Sequence, residues 1–438
     1  MYVINAHSLL YATIRRVVLF IIIISTANLA AQSQKSEDID LMTLKNQLDS
    51  IIQNGIDSLA FPGAQLYVSI KGKPIIHKAY GHHTYQGTTQ VALDHIYDMA
   101  SITKVSTGLP LLMKFSMDNR FDLDAPLKKY YPKFKRSNKA DLTYRNILAH
   151  QSGLAPYIIF WQKTLDEAGS YKRKTFSRKH SRRYPVSITD DLHLFKRYRK
   201  KMFDYIKETP VAQTPSYKYS GLLFLLLPDI IRDISGEEFY PYLRKTLYDP
   251  LGASKMMYKP LGKYPIEKIV PTEQDTYFRN TLIRGYVHDE AAAMLNGISC
   301  NAGLFTNAED LAKLFQMYLN GGEYEGRRYL VKDAIEEFTK YQFPENDNRR
   351  GLGFDKPQLE YDAETSYVAK SASPESYGHS GFTGTFVWAD PKHDMLFIFL
   401  SNRVYPDRSH RKLYTMKIRP KMHQAVYNYM KMAQLSEP

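Results

Sequence analysis

Cysteine is almost absent from this sequence, because its 438 residues include only Cys300. A single cysteine excludes an intramolecular disulfide and any metal cluster that several cysteines would hold. Cys300 lies in a run of small residues from Gly297 to Gly303, which favours a small buried hydrophobic side chain; a reactive thiol is the alternative. A chain of this length can bury a large core, so it needs no such cross-links to be stable.

Long hydrophobic runs are also missing, with one exception near the N-terminus. Arg15 and Arg16 precede an unbroken apolar stretch from Val17 to Ile24, and small residues follow as far as Ala31. This order is typical of a cleaved signal peptide at residues 1–31; an uncleaved anchor or a buried helix is the alternative. No cysteine follows, which excludes a lipoprotein anchor. Because the stretch is too short to span a bilayer, we expect a periplasmic or secreted protein with no integral membrane segment after signal removal.

Acidic residues are outnumbered by basic ones, and the formal net charge is +14. The excess is concentrated between Lys172 and Lys201, so it is a local feature rather than a property of the whole surface. Two interpretations of this basic segment remain open. It is either a solvated surface extension or a contact for an anionic polymer or membrane surface.

Hydrophobic periodicity outlines a helix and a hairpin near the start of the chain, and a hairpin and a helix near its end. Between them lies a long, mainly helical and irregular region. We therefore predict an α+β fold, an α/β sandwich over residues 37–434, in which both chain ends form one antiparallel sheet flanked by helices. An inserted, mainly helical subdomain would complete a crevice. The predicted elements are helices over Ser36–Ile56, Glu309–Leu319 and Ile418–Met432, and strands over Gln65–Lys71, Pro74–Tyr80, Gly384–Ala389 and Met395–Ser401.

Ser101 and Lys104, spaced as Ser-x-x-Lys, are the first candidates for catalysis. A serine hydroxyl is a poor nucleophile unless a neighbouring base removes its proton. At the start of a helix, residues three apart share a face, so the Lys104 amine can reach the Ser101 oxygen and act as that base. The spacing alone is weak evidence, because Ser409 and Lys412 repeat it, and a helix N-cap is the competing role for Ser101. However, an apolar helix follows Ser101, whereas Ser409 lies in a charged stretch.

Tyr219 is the second candidate, in the sequence Tyr219-Ser220-Gly221 ahead of an apolar helix that begins near Leu222. A tyrosine held near a lysine can pass a proton between nucleophile and leaving group. The alternative is an ordinary core aromatic, because the chain contains 34 tyrosines.

The third candidate element is His379-Ser380-Gly381, which precedes the C-terminal strand pair. His379 and Ser380 are candidates for contact with a substrate carboxylate, and Gly381 would let a substrate backbone pair with the strand edge. The backbone N–H of Phe382, together with that of Ser101, is a candidate oxyanion hole. A structural role is the alternative for His379.

In chain order, these three elements resemble the serine β-lactamase and penicillin-binding-protein-like superfamily. The closest branch holds class C β-lactamases, DD-peptidases, D-aminopeptidases and related esterases. Its Ser-x-x-Lys, Tyr-x-Asn and Lys/His-Thr/Ser-Gly elements match the segments that begin at Ser101, Tyr219 and His379. The resemblance spans roughly Pro62 to Tyr427. Further matching stretches are Tyr97–Ser101, Leu148–Leu154, Asp249–Gly252, Ala302–Phe305, Gly351–Phe354 and Gly378–Thr385.

The resemblance implies an acyl-enzyme mechanism on amide or ester bonds, including D-amino-acid peptides of the cell wall. Lys104 and Tyr219 would act together as general base, and Ser101 would attack the carbonyl. The N–H groups of Ser101 and Phe382 would hold the oxyanion, and water would then cleave the acyl-enzyme. No metal or other cofactor is implied. The expected partner is a small-molecule or peptide substrate, not nucleic acid.

Two positions depart from the family pattern. Gly221 stands where the family usually has Asn, whose side chain would bond the lysine or the substrate amide, so efficient β-lactam turnover is in doubt. His379 replaces the lysine usual in β-lactamases, and a histidine is only partly charged at neutral pH. Two alternative functions therefore remain. One is a non-catalytic member of the fold that binds peptidoglycan fragments or β-lactams, and the other is a carboxylesterase or weak β-lactamase.

Two remaining segments have no motif role. The basic segment lies between the matching stretches Leu148–Leu154 and Asp249–Gly252. We therefore interpret residues 157–210 as an insertion beside the cleft, with an anionic cell-envelope polymer as its possible partner. His288-Asp289-Glu290 suggests metal ligands, but adjacent residues on a helix point in different directions. Structural roles or a place in the cleft wall are the expectation for these three.

Overall fold

The computed structural model describes residues 40–213 and 216–435, so the predicted signal peptide lies outside the described residues. The strands are β1 (Gly63–Ile70), β2 (Lys73–Gly81), β3 (Tyr97–Asp98), β4 (Phe176–Ser177), β5 (Val186–Thr189), β6 (Leu192–Leu194), β7 (Met257–Tyr258), β8 (Glu273–Asp275), β9 (Thr281–Ile283), β10 (Leu304–Thr306), β11 (Glu323–Tyr324), β12 (Arg327–Arg328), β13 (Tyr377–Ser380), β14 (Phe386–Asp390) and β15 (Met395–Ser401).

The helices are α1 (residues 40–57), α2 (Ile102–Ser106), α3 (Gly108–Met117), α4 (Leu127–Tyr130), α5 (Tyr144–Leu148), α6 (Tyr198–Glu208), α7 (Leu227–Ser235), α8 (Phe239–Leu243), α9 (Glu290–Met294), α10 (Ala308–Leu319), α11 (Lys332–Thr339), α12 (Lys412–Thr415) and α13 (Ile418–Leu435). Short 3₁₀ turns cover Pro132–Phe134, Gln162–Thr164, Leu222–Leu225, Ile266–Lys268 and Pro344–Asn346, and a π turn covers Arg244–Tyr248.

The main sheet has five strands in the order β13, β14, β15, β1 and β2. Every neighbouring pair is antiparallel, and Tyr67 of β1 lies opposite Ile398 of β15. The N-terminal hairpin therefore joins the C-terminal strands, although residues 82–376 separate them in the chain. The prediction of one antiparallel sheet built from both chain ends is confirmed.

Both faces of this sheet are covered, as the alternation along β15 shows. Met395, Phe397 and Phe399 pack into the core formed with α1 and α13. Their neighbours Leu396, Ile398 and Leu400 point to the other face, into the larger core that contains α3 and α10. Full burial of each such side chain is worth about 1.5–3 kcal/mol, so the sheet is a rigid support for the site at its edge.

The edge strand β13 differs from the sequence expectation. His379 and Ser380 lie within this strand rather than ahead of the strand pair, because His379 pairs with Val387 of β14. The run that contains them is short and polar, so hydrophobic alternation gives no strand signal there. The third motif, which begins at His379, is therefore held by the main sheet.

The basic segment also contains strands, although the sequence predicts a mainly helical and irregular middle region. The short strands β4, β6 and β5 form a small sheet, with a turn at Asp190 and Asp191 between β5 and β6, and α6 follows. The cationic side chains of Lys172, Arg173 and Lys179 are exposed to solvent. Among the described residues, no helix is both long and apolar enough to cross a membrane.

His423 lies in the core between α13 and the sheet, against the rings of Phe386, Phe397 and Tyr427. Burial lowers the pKa of His423 to about 3. The folded protein therefore holds this imidazole neutral, whereas the unfolded chain takes up a proton below about pH 6.5. The stability that depends on the neutral form is present above that pH and is lost as the pH falls.

We expect His423→Phe to flatten the acid dependence of stability. Between pH 6 and 5, the slope of the unfolding free energy should fall by about 1.4 kcal/mol per pH unit, because one titrating group is removed. Urea unfolding at several pH values measures this slope. His180→Gln is the control, since His180 is exposed. Equal slopes in the wild type and in His423→Phe would contradict the assignment.

Candidate active site

Ser101 immediately precedes α2 and faces the Lys104 amine from one turn away. Lys104 Nζ lies 3.1 Å from Ser101 Oγ, which is the proximity that the Ser-x-x-Lys spacing predicts. Ser101 occupies the N-cap position of α2, but its side chain forms no capping hydrogen bond with a backbone N–H. The second Ser-x-x-Lys pair is not associated in this way, because Lys412 Nζ donates to Ser58 O.

The segment that presents Ser101 is strained and is held by buried hydrogen bonds. Ala100 has a φ of +45°, a left-handed conformation that costs a non-glycine residue free energy. The Asp98 carboxylate accepts hydrogen bonds from the N–H groups of Ala100 and His288, at 2.8 and 2.7 Å. Thr385 Oγ1 donates to Met99 O at 3.2 Å. Ser101 therefore projects from a backbone that both the middle segment and the main sheet fix.

Lys104 is almost fully buried, at 2% exposure. Its amine makes a second hydrogen bond, to Asn301 O at 2.9 Å, and lies 5.3 and 5.4 Å from the ring centres of Tyr219 and Phe224. No carboxylate in the described part of the chain forms an ion pair with it. The amine is thus aimed at the Ser101 hydroxyl by one carbonyl and two aromatic walls, as a general base requires.

Asn301 is a residue that the sequence argument missed. Its carbonyl orients Lys104, while its side chain accepts from Ser299 Oγ at 2.7 Å and donates to Asp289 Oδ1 at 3.1 Å. The available signal was its place just ahead of the matched stretch Ala302–Phe305. Asp289 also caps α9 by accepting from the Ala292 N–H.

Tyr219 reaches the site from the loop ahead of the Leu222–Leu225 turn. Its ring lies 4.4 Å from the ring centre of His150 and 6.1 Å from that of His379. The Tyr219 hydroxyl is buried and has no hydrogen-bond partner in the described protein. The structure thus brings the phenol to the Lys104 side of the site, while the hydroxyl-to-amine hydrogen bond of a proton shuttle is not formed.

His379 is more strongly neutral than its residue type alone indicates. Burial first, and then the charges of Arg350 and Lys104, hold the pKa of His379 well below its usual range. Its Nδ1 contacts Ser380 O at 2.7 Å and its Nε2 faces Arg350 Nη2 at 3.2 Å. Nδ1 is therefore the donor and Nε2 the acceptor. Burial and the neighbouring guanidinium both disfavour the imidazolium, so we expect a neutral His379 rather than a partly charged one.

Arg350 supplies the positive charge next to His379, and the sequence argument missed it. Its guanidinium pairs with Asp355 at 3.0 Å and lies 5.4 Å from the Tyr219 ring centre. The signal was its position directly before the matched stretch Gly351–Phe354. Arg350 and residues of all three predicted elements line one cavity.

Gly381 has a packing reason as well as the predicted functional one. A Cβ at this position would lie 2.6 Å from Met99 O and 2.0 Å from Thr385 Oγ1, so no other residue fits. The glycine lets the turn after β13 approach the segment that carries Ser101. The N–H groups of Ser101 and Phe382 donate to no acceptor within the described chain, so both remain available as oxyanion donors.

A cavity of about 610 Å³ brings most of these groups together. Of the predicted site residues, Lys104 is the one outside its lining, directly behind Ser101. Ser380 is half-buried, and the Phe382 ring is 49% exposed. The predicted residues that line the cavity are Ser101, Tyr219, His379, Ser380, Gly381 and Phe382.

His288, Asp289 and Glu290 have structural roles, and none of the three lines the cavity. The His288 ring stacks on Phe382 with centres 5.7 Å apart, and its Nε2 contacts Glu273 at 2.8 Å. Glu290 pairs with Arg408 at 2.9 Å. Within the described ranges, no group of three or more His, Cys, Asp or Glu side chains is arranged to hold a metal ion.

Comparison with known proteins adds independent findings. A family model described as Beta-lactamase matches residues 48–417. A Salmonella enteritidis PT4 protein provisionally named D-alanyl-D-alanine carboxypeptidase is 30% identical over 386 residues, which cover 82% of each chain. The fold is similar to that of a penicillin-binding-protein homologue from Caulobacter crescentus (TM-score 0.61, 15% identity, 88% of this chain and 97% of that one). It is also similar to that of a class C β-lactamase from Rhodobacter sphaeroides (TM-score 0.59, 14% identity, 89% and 99%).

Proposed function

Because this chain belongs to the beta-lactamase family, we propose that it is a serine hydrolase that forms an acyl-enzyme through Ser101 on amide or ester substrates. Its preferred substrates are D-amino-acid peptides of the cell wall. The observation that carries this proposal is the contact of 3.1 Å between Lys104 Nζ and Ser101 Oγ at the base of a large cavity. A relative named for D-alanyl-D-alanine carboxypeptidase activity supports the choice of substrate class.

In the proposed reaction, the Lys104 amine takes the Ser101 proton as the serine oxygen attacks the substrate carbonyl. The free N–H groups of Ser101 and Phe382 stabilise the oxyanion. The C–N or C–O bond then breaks, and a proton is delivered to the leaving group from Lys104, through Tyr219 once its hydroxyl reaches the amine. Water repeats the attack on the acyl-enzyme, with the same groups removing and returning the proton.

The neutral His379 also favours a peptidase or esterase over a dedicated β-lactamase. With the His379 imidazole uncharged, a substrate carboxylate gains its attraction at this wall from Arg349 and Arg350, and both are already paired with Asp355. A panel of substrates tests the ranking: peptides ending in D-Ala-D-Ala, the matching L-Ala-L-Ala peptides, D-amino-acid amides, 4-nitrophenyl esters and nitrocefin. Release of the C-terminal alanine from the D-Ala-D-Ala peptides but not from the L-Ala-L-Ala peptides supports the proposal, and equal release from both contradicts it.

The second candidate is a non-catalytic protein that binds peptidoglycan fragments or β-lactams on the same fold. The unpartnered Tyr219 hydroxyl and the missing side chain at Gly221 favour it. A third candidate, a carboxylesterase or weak β-lactamase, shares the acylation step. Binding of D-Ala-D-Ala peptides without any turnover, in the same panel, would select the binding protein.

Gly221 offers a direct test of the departure from the family motif. Its φ of −90° and ψ of −6° suit any residue, and a Cβ there would meet nothing closer than Asn301 Cβ at 3.9 Å. We expect Gly221→Asn to fold and to raise kcat/KM for amide substrates about tenfold, by adding one hydrogen bond in the site. Gly221→Ala, which adds the Cβ without the hydrogen-bonding amide, is the control. Equal activities of the two variants would contradict a hydrogen-bonding role at this position.

Export and the basic insertion complete the proposal. We expect removal of a signal peptide near residue 31, which mass spectrometry of the exported protein tests. The exposed cations at residues 172–201 support contact with an anionic cell-envelope polymer. Co-sedimentation with purified cell wall at low and high salt tests that contact, and sedimentation independent of salt would contradict it.

A further inference from the structure

Three arginines surround one tyrosine at the end of the cavity where α13 begins. The guanidinium carbons of Arg403, Arg411 and Arg419 lie 4.7, 5.4 and 5.1 Å from the ring centre of Tyr414. Arg403 also covers the Phe382 ring at 4.7 Å, which connects this arginine cluster to the oxyanion side of the site. None of these four residues belongs to a motif that the sequence argument used.

The charges of the arginine cluster are not neutralised within the described protein. None of the three forms an ion pair with a carboxylate of the described residues, whereas arginines elsewhere, such as Arg350 and Arg408, do. Arg403 donates to the backbone oxygens of Arg408 and His410 instead. A guanidinium held away from water without a counter-charge costs free energy, and a bound anion would recover it.

Arg419 is the most unfavourably placed member of the cluster. It is 3% exposed, and its Nη1 is buried with no hydrogen-bond partner. It is also the second residue of α13, an 18-residue helix whose N-terminus carries partial positive charge. A cation at that end is repelled by the helix, whereas an anion would be attracted by both the helix and the arginine.

The cavity that contains Ser101 reaches this cluster. Arg411, Tyr414 and Arg419 line it along with the catalytic serine. Its wall carries more positive than negative side chains, so the cavity as a whole favours an anionic occupant. The five cations of the lining are Arg349, Arg350, Arg411, Lys417 and Arg419, and the two carboxylates are Asp355 and Glu364.

We propose that Arg411 and Arg419 form a subsite for a carboxylate on the substrate, set apart from the bond that Ser101 cleaves. Planar guanidinium groups bind carboxylates through paired N–H donors, and Tyr414 holds them in place by stacking. The inference rests on the proposed hydrolase function and narrows it to substrates that carry an additional carboxylate, on either the acyl or the leaving-group side.

Matched esters test this subsite without knowledge of the natural substrate. We would compare 4-nitrophenyl butyrate with its 3-carboxy-4-nitrophenyl ester, which adds a carboxylate to the leaving group. The monoester 4-nitrophenyl adipate adds one to the acyl group. For the wild type, kcat/KM of at least one carboxylated ester should exceed that of the neutral ester about tenfold or more. The preferred ester also tells which side of the substrate faces α13.

Variants of the cluster then assign the preference to the arginines. Arg411→Gln and Arg419→Gln should each lower the ratio of carboxylated to neutral kcat/KM about tenfold. Because Arg411 is exposed, we expect Arg411→Gln to fold, so this variant tests the subsite even if Arg419→Gln does not fold. Lys421→Gln removes an exposed charge from the same helix outside the cavity lining and should leave the ratio unchanged.

The outcomes separate this inference from the proposed function. Turnover of the neutral ester with the same ratio in wild type, Arg411→Gln and Lys421→Gln would overturn the subsite and leave the hydrolase intact. An equal fall of the ratio in the Lys421→Gln control would also overturn it, because general surface charge would then explain the preference. Failure to hydrolyse any ester, together with no release of D-alanine from D-Ala-D-Ala peptides, would instead refute the proposed function.

Discussion

Replacement of Ser101 by alanine is expected to lower kcat/KM for esters and D-Ala-D-Ala peptides by about 10⁴-fold or more, because no other group can form the acyl-enzyme. In the structure, the Ser101 hydroxyl is the oxygen to which the buried Lys104 amine donates at 3.1 Å. Without that oxygen, the remaining oxyanion donors can only polarise a carbonyl for attack by water. Initial rates with a chromogenic ester measure the effect.

The chain provides its own control for this variant. Ser409 repeats the Ser-x-x-Lys spacing with Lys412, but the Lys412 amine bonds to Ser58 O instead. Ser409→Ala should therefore retain wild-type rates. Circular dichroism and the melting temperature should show that both variants fold. An active Ser101→Ala, or an inactive Ser409→Ala that is folded, would contradict the assignment of the nucleophile.

The second large effect is expected from Lys104, whose replacement by methionine should lower the acylation rate about 10³-fold, within the range known for loss of a general base. Methionine matches the stem of lysine and fits between the rings of Tyr219 and Phe224. It cannot accept the Ser101 proton. Single-turnover measurements with a chromogenic ester isolate acylation from the later hydrolysis step.

Lys104→Arg distinguishes a base from a mere positive charge at this position. A guanidinium stays protonated in proteins, so it preserves the charge but cannot accept a proton. We expect this variant to be as impaired as Lys104→Met. Substantial activity in Lys104→Arg would show that charge alone suffices and would transfer the role of base to another group. Lys412→Met, at the second spacing, should be unaffected.

The outer framework of the fold could be predicted because its elements have strong periodic patterns. Gln65–Lys71 and Pro74–Tyr80 alternate around Gly72, and the structure places them in β1 and β2. The C-terminal helix is predicted to end at Met432, whereas α13 ends at Leu435. A difference of this size is common at helix ends. Ser101, Lys104 and His379 were found because each belongs to a short motif with fixed spacing.

The groups that complete the site have no such local signal. Asn301 acts through its backbone carbonyl, a role that any residue type can fill, so composition does not reveal it. Arg350 lies beside His379 although 29 residues separate them in the sequence, and only the folded chain brings the two together. Contacts of this range depend on tertiary packing, which periodicity and motif spacing do not encode.

The unpartnered Tyr219 hydroxyl is where the site departs most from a complete proton relay. The centre of its ring lies 5.3 Å from the Lys104 amine, while its hydroxyl oxygen is buried without a hydrogen-bond partner in the described protein. Rotation of this side chain on substrate binding would bring the oxygen to the amine, as hydrogen bonds in an unliganded catalytic site often form only with substrate. We therefore expect Ser101 and Lys104 to carry out acylation and Tyr219 to take part in proton delivery.

The most direct measurement is the mass of the intact protein after incubation with a fluorophosphonate and, separately, with a fluorescent penicillin, followed by mapping of the labelled peptide. If the hydroxyl at position 101 is an activated nucleophile, one adduct should form per chain with the fluorophosphonate, on the peptide that contains Ser101, and none in Ser101→Ala. No adduct with either reagent, or an adduct on a different residue, would contradict the central claim.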